Sequence, residues 1–99
     1  MMKMKIKLDE QKVKENSKYT VDEMYKKIDN LANEVNITKK EGKYIYIGNN
    51  DRYDFANFGR MIIALGNCDW YKNCIEEWLW CDDYEVDDMI DFFDRSDAV

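Results

Sequence analysis

The strongest constraint on the fold of this chain is a helical pattern that begins with a capping box at residues 20–23. Thr20 and Glu23 have the spacing at which each side chain accepts a hydrogen bond from the other residue's backbone N–H. The apolar residues after this box share one stripe of a 3.6-residue period: Val21, Met24, Tyr25, Ile28, Leu31, Ala32 and Val35. The pattern predicts an amphipathic helix over residues 20–35, whose apolar stripe must be covered by other parts of the chain.

Two further patterns predict a small antiparallel sheet. Apolar residues at 4, 6 and 8 alternate with lysines at 3, 5 and 7, which is typical of a short strand with one solvated face. Residues 37–38 and 43–47 flank a turn in which Gly42 supplies a positive φ, so this part is predicted to form a hairpin.

The segment after a second turn, at residues 48–51, has two interpretations. Residues 52–55 are predicted to return as a third strand, with the next helix starting near Asn57. The alternative is that the helix already begins at Asp54, since the apolar residues from Phe55 onward also suit a helical stripe.

The C-terminal half is predicted to be helical. After a helix stop at Gly66, Asp69 is placed to cap a helix with one apolar face, made of Trp70, Tyr71, Cys74, Ile75, Trp78 and Leu79. Asp83 is placed to cap a last helix that carries Val86, Met89, Ile90 and Phe93 inward.

The fold class is therefore predicted to be α+β within a single domain of residues 1–99. A small antiparallel sheet, either a hairpin or a three-stranded meander, packs with the helix of residues 20–35 and is followed by a helical acidic C-terminal half. The residues at the centres of their stripes are expected to be buried together: Ile28, Leu31, Met61, Ile62, Ile75, Leu79 and Ile90.

The net charge of −6 is distributed unevenly. Residues 1–50 carry eleven lysines against eight acids, whereas residues 51–99 carry four cations against thirteen acids. Such an acidic half repels the phosphates of nucleic acids and attracts basic surfaces, which commonly serve to hold nucleic acid. We expect no direct nucleic-acid binding through this half.

The sequence contains few parts of known catalytic or metal sites. Histidine is absent, the serines have no base nearby, and the glycines form no phosphate-binding motif. The acids lack the spacing of a calcium loop, and Cys68, Cys74 and Cys81 have no spacing for zinc or for a disulfide framework. We expect a non-enzymatic protein without catalytic residues, metal or cofactor, whose thiols at Cys74 and Cys81 have a raised pKa because carboxylates surround them.

The location in the cell is expected to be the cytoplasm. The longest apolar run, residues 61–65, is too short to cross a membrane, and the basic start of the chain lacks the apolar core of a signal peptide.

The acidic residues near the C-terminus are the main candidates for function. On the predicted last helix, Asp87, Asp91 and Asp94 stand at i, i+4 and i+7, where each like-charge pair costs a few tenths of a kcal/mol. From residue 69 to residue 99 the chain offers Lys72 and Arg95 as its only cations. This repulsion between like charges is explained either by a basic partner that the acids attract or by a solvated face that maintains solubility.

Aromatic residues accompany these acids. Trp70 and Trp78 share the predicted inward stripe, whereas Trp80 lies off the stripe and is expected to be a partly exposed interface anchor or a cover for the last helix. The predicted partner-binding residues are therefore Asp82, Asp83, Glu85, Asp87, Asp88, Asp91, Asp94, Trp80 and Tyr84.

The layout, with the sequence YIYI at residues 44–47 followed by helices and the acids of residues 82–94, resembles that of small anti-CRISPR proteins of phages and mobile elements. These are single acidic α+β domains without catalytic residues. The resemblance covers the layout of the whole chain and shares no motif, so no site residue is carried over. It implies an inhibitor that occupies the DNA-reading or PAM-reading surface of a CRISPR nuclease, in some cases as a DNA mimic.

The sequence thus predicts an interaction protein that docks an acidic face on a basic, nucleic-acid-binding surface of a partner. The second hypothesis is a structural or assembly subunit that pairs with a copy of itself through its aromatic helices, and the third is a cation-dependent enzyme that uses the carboxylates.

Overall fold

The strand β1 (Lys3–Leu8) is the central strand of the sheet in this computed structural model, which describes residues 1–68 and 71–97. The antiparallel sheet has five strands in the order β2 (Lys39–Glu41), β3 (Ile45–Ile47), β1, β4 (Ile75–Cys81) and β5 (Val86–Asp88). Met4, Ile6 and Leu8 of β1 are buried, and the alternating lysines are half-buried on the other face. The predicted alternation in residues 3–8 is confirmed.

Helices cover the buried face of the sheet. They are α1 (Glu10–Asn16), α2 (Val21–Glu34), α3 (Asp54–Gly66), the single turn α4 (Tyr71–Cys74) and α5 (Met89–Asp97). Each of them contributes a buried side chain to one core together with Met4, Ile6 and Leu8. The fold is therefore α+β, with helices on one face of an antiparallel sheet.

Two helices of the first half are explained by their caps. The capping box of α2 is present as predicted: Glu23 N–H donates to Thr20 Oγ1 and Thr20 N–H donates to a carboxylate oxygen of Glu23, each at 3.1 Å. The helix α1 lies in a stretch where no helix was predicted, because Val13 is its only buried residue. Lys12 N–H donates to the Asp9 carboxylate at 3.1 Å, which caps this short helix.

The predicted hairpin is present, but its strands are shifted along the chain: residues 37–38 are not a strand, β2 forms at Lys39–Glu41 where the turn was predicted, and β3 starts at Ile45 rather than at residue 43. Gly42 has the expected positive φ of 69°. The predicted third strand at residues 52–55 is wrong, since α3 begins at Asp54. The carboxylate of Asp54 is buried and accepts hydrogen bonds from the N–H groups of Asn49 and Asn50 at 2.9 and 2.8 Å. These bonds hold the preceding turn against the start of the helix, so this segment does not pair as a strand.

The helical C-terminal half is also a wrong prediction. Residues 75–81 form β4, which pairs with β1, and residues 86–88 form β5 at the edge of the sheet. The pairing of β4 with β1 shifts in register between Lys7 and Leu8 of β1, which pair with Glu77 and Ile75. Because of this shift, Ile75 and Trp78 both lie on the buried face although they are three residues apart. An irregular strand with this spacing has the same apolar pattern as one turn of a helix, which explains the error.

The predicted core is mostly confirmed. Ile28, Met61, Ile62 and Ile75 are buried, and two more residues of the set, Leu31 and Ile90, pack against the core while partly exposed. The prediction is wrong for Leu79, because it alternates with Trp78 along β4 and therefore lies on the opposite face of the sheet.

Two predictions of the C-terminal half lie outside the described residues, namely the cap at Asp69 and the inward position of Trp70. None of the described helices combines the length and the apolar character needed to cross a membrane.

Candidate protein-interaction site

The predicted partner-binding residues lie on four consecutive parts of the chain rather than on one helix. Trp80 belongs to β4, residues 82–85 form the turn between β4 and β5, Asp87 and Asp88 lie on β5, and two further acids lie on α5. Because Asp87 is on a strand, the predicted row of acids at i, i+4 and i+7 on one helix does not exist. Residues 82–94 are called the acidic segment below.

Two acids of the segment stabilise the turn. The carboxylate of Asp82 accepts hydrogen bonds from the N–H groups of Tyr84 and Glu85, both at 2.7 Å. These two bonds lower the pKa of Asp82, since they favour its charged form. The carboxylate of Asp83 pairs with the amine of Met1.

A third acid caps a helix. The carboxylate of Asp88 accepts a hydrogen bond from the N–H of Asp91 at 3.1 Å, at the start of α5. In the described part of the chain, Glu85, Asp87 and Asp94 are exposed and their carboxylates make neither an ion pair nor a hydrogen bond. These three carboxylates are available to a partner.

An apolar groove of about 570 Å³ lies beside the acidic segment. One side is formed by α3 with Phe55, Gly59, Ile62, Ile63 and Gly66, and the other by α5 with Met89, Phe92 and Phe93. Trp80 also lines the groove, as do Asp87 and Asp88 of the acidic segment. This set of residues is called the apolar groove below.

Several large apolar side chains of the groove are exposed to solvent. The exposed fractions are 68% for Phe55, 65% for Ile63 and 49% for Phe92. Apolar side chains that cluster at the surface around a groove are typical of binding sites. The carboxylates of Asp87 and Asp88 give this groove a negative margin.

Trp80 connects the groove to the core. Its ring lies 5.3 Å from the ring of Phe55 and 6.4 Å from that of Phe58, measured between centroids. The side chain is half-buried, and its indole Nε1–H is buried with no hydrogen-bond partner among the residues that the structure describes. Such an unpaired donor costs about 1–3 kcal/mol. Trp80 therefore packs against the core and lines the groove, and Tyr84 is the fully solvated aromatic of the segment at 94% exposure.

The sequence prediction missed the contribution of α3 to this site. Phe55, Gly59 and Ile63 follow each other at a spacing of four, next to the buried stripe that contains Phe58, Met61, Ile62 and Leu65. A helix that needs only one apolar stripe carries here a wider apolar arc. That excess width is the signal from which the groove could have been inferred.

Cys74 and Cys81 have the environment of unreactive thiols. Burial raises the pKa of Cys74 and Cys81, and the nearby carboxylates of Asp9 and Asp82, respectively, raise it further. The predicted direction of the shift is confirmed, although burial is its larger cause. Within residues 1–68 and 71–97, no three side chains of Cys, Asp or Glu are grouped so that they could hold a metal ion.

Comparison of the chain with models of protein families and with curated proteins gives no match.

Proposed function

We propose that this chain is a non-enzymatic interaction protein of the cytoplasm, which docks on a basic, nucleic-acid-binding surface of a partner protein. The observation that supports the proposal is the position of the apolar groove beside the acidic segment, whose unpaired carboxylate at Asp87 lines the groove. A partner with apolar side chains next to Lys or Arg residues complements both features.

The two features have different roles in binding. Fully burying a side chain such as Phe55 or Ile63 contributes about 1.5–3 kcal/mol, so the apolar groove supplies affinity. The carboxylates of Asp87 and Asp94 attract basic surfaces and reject acidic ones, so they supply association rate and specificity.

The class of partner follows from the charge. Basic surfaces of proteins commonly bind nucleic acid, and a bound acidic protein excludes the nucleic acid from them. We propose inhibition of this kind, with a CRISPR nuclease as the first partner to be tested. Since the acids lie on a turn, a strand and a helix, the proposal relies on mixed apolar and acidic contacts rather than on a regular row of charges.

The test uses a double charge reversal, Asp87→Lys with Asp94→Lys, and a control with the same change in net charge, Glu15→Lys with Glu34→Lys. The control carboxylates are exposed on α1 and α2 and do not line the groove. Affinities are measured by surface plasmon resonance with purified basic nucleic-acid-binding proteins, including a guide-loaded CRISPR nuclease. The measurements are made at several salt concentrations and with competing DNA.

We expect the double reversal at the site to lower the affinity at least about tenfold at low salt and to flatten the salt dependence of binding. The control variant should retain the affinity and the salt dependence of the unmodified protein. DNA should compete with the unmodified protein. If the variant with lysines at 87 and 94 binds as tightly as the unmodified chain at low salt, the proposed function is wrong.

Self-association is a second candidate, favoured by the exposure of Phe55, Ile63 and Phe92. A second copy that covers these side chains would form a dimer held by apolar contacts. Sedimentation analysis separates the two functions, because such a dimer persists at high salt, whereas docking of a basic partner weakens.

A further inference from the structure

We propose that the part of the partner that enters the apolar groove is an α-helix, which crosses α3 at Gly59 and directs Lys or Arg side chains toward Asp87. This inference rests on the proposed function and specifies the partner's binding element. It is supported by the space at Gly59, by the spacing of the residues around it and by the charge of the groove.

The space at Gly59 has no explanation within the described part of the chain. Gly59 lies in the interior of α3, where glycine is less favourable than alanine, and an added Cβ would meet no atom of the described neighbouring residues within 4 Å. Gly42 is required by its positive φ, and at Gly66 a Cβ would come within 2.8 Å of the Phe93 ring. Since neither reason applies to Gly59, we infer that its missing side chain admits an element from outside the chain.

The residues around Gly59 have the arrangement of a helix-packing site. Phe55 and Ile63 lie four residues before and after it and are strongly exposed, so they form two projections with a gap between them. Rows of residues at a spacing of four are the ridges that interdigitate when two helices pack, and small residues at the crossing allow a close approach. The side chains of a second helix that crosses α3 at Gly59 would fill this gap.

The charge of the groove identifies a basic helix as the occupant. Among the residues that the structure describes, the lining includes Asp87 and Asp88 and no Lys or Arg, so a helix with cations along the side that faces β5 would pair with the carboxylate of Asp87. A second copy is the poorer occupant, because each chain has a net charge of −6 and brings the same acids to the contact.

The experiment uses a synthetic peptide as the probe. The helix α3 has 13 residues, which is about 20 Å, so a peptide of roughly 15 residues spans it. The peptide has Ala and Leu on one side of the helix and Lys beside them. One matched peptide has Glu in place of Lys, and another has a central Pro that breaks the helix. Binding is followed by the NMR signal of the indole N–H of Trp80, whose side chain lines the groove.

Three variants of α3 test the crossing point. Gly59→Leu fills the gap, Gly59→Ala fills it in part, and Ala56→Leu adds the same side chain at an exposed position that does not line the groove. We expect the Lys peptide to bind the unmodified protein and to shift the indole signal. Gly59→Leu should weaken this binding at least tenfold, Gly59→Ala should weaken it less, and Ala56→Leu should retain it. The Glu and Pro peptides should bind at least tenfold more weakly than the Lys peptide.

Several results would overturn the inference. These are equal binding by Gly59→Leu, equal binding of the Pro peptide, no binding of the Lys peptide, or a dimer of the unmodified protein that Gly59→Leu dissociates. In the first two cases, the proposed function stands if Asp87→Lys with Asp94→Lys still weakens binding of a basic partner. If this double substitution changes nothing while Gly59→Leu blocks the peptide, the proposed function fails and the helix site remains.

Discussion

Replacing either of two glycines of α3 with alanine is expected to change the stability of the fold, in opposite directions at Gly59 and at Gly66. In the interior of a helix, alanine is more favourable than glycine by up to about 1 kcal/mol. Because an added Cβ at Gly59 meets no atom within 4 Å, Gly59→Ala should gain about 0.5–1 kcal/mol in the free energy of unfolding. For a chain of this length, that gain raises Tm by a few degrees.

At Gly66 the same change meets the side chain of Phe93. The added Cβ would lie 2.8 Å from Cζ and 2.9 Å from Cε1 of the ring, so the ring must move. That ring stacks on Trp78 with a centroid separation of 5.5 Å, and Trp78 is fully buried. Overpacking of this kind costs about 1–3 kcal/mol, which exceeds the helix-propensity gain at the end of α3. We expect Gly66→Ala to lose about 1–2 kcal/mol.

Urea unfolding followed by circular dichroism measures both changes, and a cycle with Phe93→Ala assigns the cause. In the Phe93→Ala background the penalty of Gly66→Ala should disappear, whereas the gain from Gly59→Ala should persist. The reasoning is refuted if both glycine variants shift stability with the same sign and size, or if the penalty at Gly66 survives without the Phe93 ring.

Two other predictions concern the core and the buried Tyr25. Ile62→Ala should lose about 2–5 kcal/mol in urea unfolding, whereas Leu79→Ala on the open face of the sheet should lose only about 1 kcal/mol. Equal losses would contradict the strand assignment of β4. Burial raises the pKa of Tyr25 to about 12, because it disfavours the charged form of the hydroxyl. The contribution of the neutral tyrosine to the stability of the fold is therefore complete below pH 10 and is lost as the pH rises from 10 through 12. Unfolding free energies between pH 8 and 12 should therefore decrease, and they should decrease less in Tyr25→Phe.

The elements that could be predicted from the sequence are those fixed by neighbouring residues. The capping box at Thr20 and Glu23 and the alternation in β1 each use a spacing of at most a few residues, and both appear in the structure. The elements of the C-terminal half depend on distant partners. The segment at Ile75–Cys81 becomes a strand because β1 offers it an edge, and its bulge places Ile75 and Trp78 on one face. Nothing in the local pattern distinguishes that spacing from a helical turn.

The groove shows the same limit for the candidate site. Trp80 and the acids were found from the sequence because they are close together in the chain. Phe55 and Ile63 were missed because α3 is distant from the acidic segment in the sequence, and the fold brings both to the same groove. Apolar residues usually belong to the core, so they rarely indicate a binding site from the sequence. A cluster of charged residues does, and the charged part of such a site is therefore easier to predict than its apolar part.

Fewer carboxylates of the acidic segment are available to a partner than the sequence suggests. Of the seven acids predicted to bind a partner, Asp82 and Asp88 accept backbone hydrogen bonds and Asp83 pairs with the chain's own amine. These carboxylates offset local charge and shape the turn, so substituting them tests folding as much as binding. The unpaired carboxylates of the segment, at Glu85, Asp87 and Asp94, are the ones that a basic partner can neutralise. The salt dependence of docking should therefore correspond to about three charge contacts rather than seven, since only contacts that form on binding are screened.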